Sequence, residues 1–127
     1  MNKSFPYQAA EIIKQKTDGF SPKVAIVAGS GLGPLADLIE QPIHIDYQEL
    51  PGFPQLSVHG HSSQLTLGFL AGTPVACLQG RAHTYESNDY EPVKNYVRTM
   101  KLIGADYYLA TNASGSLRQE VGPGSLV

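Results

Sequence analysis

Cysteine is nearly absent from this 127-residue chain: Cys77 stands alone, inside the apolar run 75–78, so no internal disulfide is available and a buried small hydrophobe is expected there. That usage suits a reducing cytoplasm. An excess of one charge is missing too, since nine Lys and Arg face eleven Asp and Glu and the net charge is -2. Without a polybasic tract, nucleic acid is not an expected partner. No apolar run approaches the ~20 residues that span a bilayer, and the N-terminus lacks the charged-then-apolar pattern of a secretory leader, so a membrane role is not expected. Internal repeats and low-complexity linkers are lacking as well. What remains is 42% hydrophobic and amounts to one domain, long enough to bury a core but short for a complete α/β enzyme with a closed site.

Glycine is plentiful, and residues 24–33 use it to most effect: the apolar run Val24-Ala-Ile-Val-Ala28 breaks into Gly29-Ser-Gly-Leu-Gly33, with a helix-like segment from Pro34. A strand, a glycine turn and a helix start together make a phosphate cradle, because glycine lets an anion approach the backbone amides and a helix start presents free N–H groups. Ser30 adds a hydroxyl donor. The same turn is also made for purely geometric reasons, so other residues must decide.

Along the chain, Ser4 is placed to cap a helix reaching about Lys16, with Pro6 in its first turn, Gly19 as its stop, and Ala9, Ile12, Ile13 and Lys16 on one face. Residues 23–28 read as a strand buried on both faces. Leu35, Leu38 and Ile39 form the inner face of a short second helix. Residues 42–47 alternate as a strand, which makes His44 an exposed strand-face histidine. Residues 64–70 and 73–78 form a hairpin around Ala71-Gly72, with Leu65, Leu67 and Phe69 on one face. A helix over 91–103 has Asp89 as cap and Gly104 as stop, and its stripe of Val93, Tyr96, Val97, Met100 and Ile103 is core. A strand at 107–111 and the start of another at 125–127 complete the series.

Three strand ends, at Ala28, Leu78 and Thr111, give way to loops of small or polar residues, and in open α/β sheets ligands bind beyond the carboxyl ends of strands. The second loop, Gln79-Gly-Arg-Ala-His-Thr-Tyr-Glu86, sets a guanidinium and an imidazole two apart, suited to a phosphate, although solvent-facing loop residues give the same pattern. His59-Gly-His61 with His83 is a zinc alternative without a supporting Cys or carboxylate set. Ser30 and Ser114 lack a nucleophile elbow. The glycines run G-x-G-x-G, and a dinucleotide reading with Asp46 on the ribose leaves Arg81 and His83 unexplained.

Taken in order, Ala28-Gly-Ser-Gly-Leu-Gly33, Leu50-Pro-Gly-Phe-Pro54, His59-Gly-His61, Gly80-Arg-x-His-x-Tyr-Glu86 and Thr111-Asn-x-x-Gly-Ser-Leu117 resemble the trimeric purine nucleoside phosphorylases almost from end to end. The stretch 115–127 is most similar to the bacterial branch that includes xanthosine phosphorylases. Ser87, Ser114 and Ser62-Ser-Gln64 depart from the family's usual residues. The resemblance implies an α/β fold with a mixed, mostly parallel central sheet flanked by helices. It places Ser30, His61, Arg81, His83 and the backbone at Ala82 and Ala113 at phosphate, with His83 as the catalytic group, and Tyr85 at ribose. Glu86 would orient Arg81 and His83 from behind. The implied enzyme is a cytoplasmic homotrimer of purine salvage, a pentosyltransferase that uses inorganic phosphate as co-substrate with no metal or organic cofactor.

Family members are longer, so residues 1–127 are expected to be the N-terminal portion of a single domain that holds phosphate but lacks the base-reading groups and, alone, turns nothing over. Two rivals stand beside this reading: a non-catalytic phosphate- or nucleotide-binding domain, and a metal-dependent hydrolase using His59, His61 and His83.

Overall fold

The structure, a computed structural model, describes residues 4–29, 32–55, 63–80 and 89–127. Its elements are α1 (Phe5–Lys16), β1 (Val24–Ala28), a 3-10 turn (Gly33–Leu38), β2 (Glu40–Asp46), a 3-10 turn (Tyr47–Glu49), β3 (Gln64–Leu70), β4 (Thr73–Gln79), α2 (Glu91–Leu102) and β5 (Tyr107–Ala110).

One five-stranded sheet runs in the order β2-β3-β4-β1-β5. β1 pairs parallel with β4 and with β5, whereas β2-β3 and β3-β4 are antiparallel. The sheet is therefore mixed and flanked by helices, as the resemblance implies, with its parallel half confined to β4-β1-β5. At the β3-β4 hairpin Ala71 and Gly72 both take positive φ, 51° and 82°, the two-residue turn whose twist suits antiparallel strands.

Period-two alternation divides the core. Ala25, Val27, Leu65, Leu67, Ala76 and Leu78 point to the face that α1 and α2 cover with Ala9, Ile13, Tyr96 and Met100. The opposite residues of β1 and β4, Ile26, Ala28, Val75 and Cys77, pack under Ala36 and Ile39. Burial on both faces explains why β1 is apolar throughout.

Both helices start with proline in the first turn, where no intrahelical N–H is lost, and both give way to a glycine of positive φ, Gly19 at 79° and Gly104 at 117°. Ser4 does hold the position before α1, but its hydroxyl makes no capping bond and instead accepts from Gln8 Nε2 at 2.9 Å. Lys16 lies off the buried face and pairs with Glu49 at 2.8 Å. Asp89 Oδ1 accepts the Glu91 N–H at 3.0 Å, as expected of a cap.

The remaining differences have physical reasons. The segment after the glycine turn is 3-10, and its three-residue repeat aligns Ala36 with Ile39 while Leu38 turns outward at 65% exposure. Val97 is off the α2 stripe, at 38% exposed, because Asn95 and Thr99 take the neighbouring buried positions. No strand forms at 125–127, where Leu126 and Val127 meet no sheet edge and are fully exposed. Among the described residues no helix is long and apolar enough to cross a membrane.

Candidate functional site

Parallel register brings three strand ends to one edge of the sheet. Ala28 lies opposite Gln79, and Val27 opposite Ala110, so Gly29, Gly80 and Thr111 leave β1, β4 and β5 side by side. Each loop singled out in the sequence starts here.

Thr111 ties two of these ends together. Its Oγ1 accepts the Gly29 N–H at 2.8 Å and donates to the Val27 carbonyl at 3.0 Å, while its own N–H donates to the same carbonyl at 3.2 Å. The approach is close enough that a Cβ on Gly29 would sit 2.6 Å from the Thr111 carbonyl oxygen. Glycine is required at position 29 because the backbones touch, independently of any anion.

The third end is held from the helix-covered side. Tyr47, buried beneath α2 and edge-on to Phe53 with ring centres 5.3 Å apart, donates its phenol to the Gly80 carbonyl at 2.6 Å. Burial, reinforced by Tyr96, drives the phenol's pKa far above its ordinary value, so it stays a donor. Fixing the Gly80 carbonyl fixes the peptide plane that continues into residue 81.

Behind Gly80 lies a polar ladder on the other face. Gln79 Oε1 accepts from Gln64 Nε2 and from Thr66 Oγ1, each at 2.9 Å, and Thr66 Oγ1 meets His44 Nδ1 at 2.9 Å. The single hydroxyl proton of Thr66 goes to Gln79, so His44 donates through Nδ1. His44 is exposed, as expected, but it is a member of this ladder rather than a bystander.

Of the residues the sequence proposes, Ala113 lies in the exposed segment after β5, next to Asn112, whose Oδ1 accepts the Ser114 hydroxyl. Ser30, His61, Arg81, Ala82, His83, Tyr85 and Glu86 lie outside the described residues, and so does His59 of the zinc alternative. Among the described residues no group of three or more His, Cys, Asp or Glu is placed to hold a metal. Cys77 is fully buried and burial pushes its thiol up to about 11, the opposite of an activated nucleophile.

Sequence reasoning missed Tyr47, Gln79 and the Thr111 hydroxyl. Only for Thr111 is there a local signal, a β-branched hydroxyl residue at a strand end. The Tyr47 contact spans 33 positions and has none.

Comparison with known proteins agrees with this arrangement. Purine nucleoside phosphorylase 1 of Geobacillus stearothermophilus is 42% identical over 127 residues, all of this chain and 46% of that protein. Its Bacillus subtilis counterpart is 44% identical over 120 residues, 94% of this chain and 44% of that protein. Isoform 2 of the purine nucleoside phosphorylase of Schistosoma mansoni, solved in complex with cytosine and ribose-1-phosphate, superposes with a TM-score of 0.86 at 35% identity, over 94% of this chain and 42% of its own. The chain thus spans less than half the length of the relatives it matches. The phosphorylase superfamily model matches residues 23–127, from the approach to β1 through all three converging loops, and the chain belongs to that superfamily.

Proposed function

We propose that this chain is the N-terminal, phosphate-holding portion of a purine nucleoside phosphorylase domain. In the reaction, a phosphate oxygen forms a bond to the anomeric carbon of a purine nucleoside as the bond to the base nitrogen breaks. The base takes its electron pair and a proton, leaving ribose 1-phosphate. The observation that carries this reading is the shared edge where Gly29, Gly80 and Thr111 emerge together, since three loops that start there have one place to meet. The names of the relatives and the ribose-1-phosphate complex of one of them support the choice of reaction.

In this reading Ser30, His61 and the backbone at Ala82 and Ala113 donate to phosphate, Arg81 grips it with its planar fork, and His83 is the catalytic group beside it. Tyr85 contacts the ribose, and Glu86 orients Arg81 and His83. Positioning and electrostatics carry the rate: positive charge developing on the ribose is met by the bound anion beneath it, so the protein needs an oriented, dry anion site rather than a nucleophile of its own. Phosphate is consumed as a co-substrate, and the chemistry calls for no metal or organic cofactor. We assign the working enzyme to the cytoplasm as a homotrimer, with base-reading groups supplied outside these 127 residues.

The test is base release from inosine, guanosine and xanthosine by the intact protein. Release that saturates with phosphate and yields ribose 1-phosphate is expected. Release indifferent to phosphate would identify a hydrolase, and phosphate protection against unfolding without any release would identify a binding domain.

A further inference from the structure

A cavity of about 370 Å³ opens between the N-terminal turn of α2, the start of α1 and the segment after the second 3-10 turn. Phe5, Leu50, Phe53 and Pro92 give it apolar walls, and Glu49, Asp89, Glu91 and Asn95 give it polar ones. The donors along this lining are already used: Asn95 Nδ2 donates to the Gly52 carbonyl at 3.2 Å, and Gln55 Nε2 to the Tyr47 and Phe53 carbonyls, each at 3.2 Å.

Acceptors are what remain. Asn95 is only 5% exposed, yet its Oδ1 has no hydrogen-bond partner among the described residues, and neither does the buried Oε2 of Glu91. The two residues are four apart on α2, hence neighbours on one helix face. Glu91 Oε1 is taken by Lys94 Nζ at 3.1 Å, Asp89 Oδ1 by the Glu91 N–H, and Glu49 by Lys16, which also holds the Glu49 carboxyl below its usual range. Native proteins pair buried polar atoms almost without exception, so two adjacent orphaned acceptors in a roomy cavity mark the place of a donor. Three carboxylates exclude an anion, and the apolar walls fit a hydrocarbon stem.

We propose that this cavity is a binding site for a small organic cation, an ammonium or guanidinium group on a short aliphatic stem, whose N–H groups donate to Glu91 Oε2 and Asn95 Oδ1. A guanidinium fits better than an ammonium, because its planar fork offers two diverging donors to two acceptors on one helix face.

The experiment is calorimetric titration of the intact protein at low ionic strength with n-butylguanidinium, n-butylammonium and, as the uncharged stem, n-butanol. Single-site saturable binding of both cations is expected, the guanidinium tighter, with n-butanol at least ~10-fold weaker. Glu91→Gln, a half-buried change that leaves the packing intact, should weaken the cations ~10-fold, and Asn95→Asp, which keeps an acceptor, should retain them. No saturable binding, equal affinity in Glu91→Gln, or n-butanol binding as well as the cations would overturn the proposal. Dissociation of an oligomer by either cation, followed by light scattering, would assign the cavity to a basic side chain of a second copy and overturn it likewise.

Discussion

The Thr111 hydroxyl and the Gly29 amide, 82 positions apart in the chain, are joined at 2.8 Å, and this bond sets the spacing between the first and third loops of the candidate site. Because Thr111 Oγ1 accepts from Gly29 and donates to Val27, a methyl in its place leaves both backbone groups without that partner. Thr111→Val should lower stability by about 1–3 kcal/mol, the cost of unsatisfied part-buried groups, and Thr111→Ser by less. Urea unfolding checks this, and equal midpoints for Val and Ser would remove Thr111 from the role.

Gly29→Ala tests the close approach itself. The added methyl would lie 2.6 Å from a backbone oxygen that cannot rotate away, so β1 and β5 must spread. A loss of about 1–3 kcal/mol is expected from overpacking of this kind. Retained stability in chemical denaturation would show that the strand ends yield freely.

At the anion site, Arg81→Ala should cost phosphate affinity more than Ser30→Ala, about 1.5–3 kcal/mol for a charge-assisted contact against about 0.5–1.5 for a neutral donor. Calorimetry with inorganic phosphate on the intact protein decides it. Unchanged affinity in Arg81→Ala would sink the assignment.

Alkaline pH should weaken the fold in two stages. Cys77 and Tyr47 both hold their protons more tightly when folded, so as pH rises the unfolded chain ionises first, binds fewer protons and is favoured. The contribution of Cys77 is complete below its ordinary value of 9.0 and is lost as pH climbs to about 11, a decline of roughly 3 kcal/mol. That of Tyr47 begins to fall above 10.0. Cys77→Ala should flatten the first stage and Tyr47→Phe the second in unfolding curves collected between pH 7.5 and 11. A parent protein equally stable at both ends of that range would contradict the burial of these groups.

β5 is exposed along its whole length, with Tyr107, Tyr108 and Leu109 at 62%, 43% and 53%, and forms an edge of the described sheet. A polypeptide of these 127 residues should therefore self-associate, and Leu109→Lys should reduce that association. Light scattering across a wide concentration range checks it; a monomer throughout would show the edge to be self-sufficient.

Much of the architecture is legible because its signals are local. Proline in a first turn and glycine after a last one bracket α1 and α2, and Ala71-Gly72 between two apolar runs marks the hairpin. Leu38 and Val97 are misplaced because apolar residues alone do not reveal whether a segment winds as 3-10 or α, or that Asn95 and Thr99 go inward. For the site, residue type and spacing identify the loops. Their convergence depends on β1 lying between β4 and β5, and the Tyr47 and Thr111 ties depend on that order too. No local pattern encodes a strand order.

That strand order has a consequence for how the chain folds. The β2-β3-β4 meander pairs neighbours in sequence and closes only short loops, whereas β1 waits for two partners made much later, the second of them β5. Each long-range pairing must meet its loop-closure entropy before its contacts repay it. The meander therefore forms early, β1 inserts beside it, and β5 docks last, bringing Thr111 to Gly29. The edge that gathers the three loops is the final thing this chain builds, so a folding intermediate would carry a formed meander and no site.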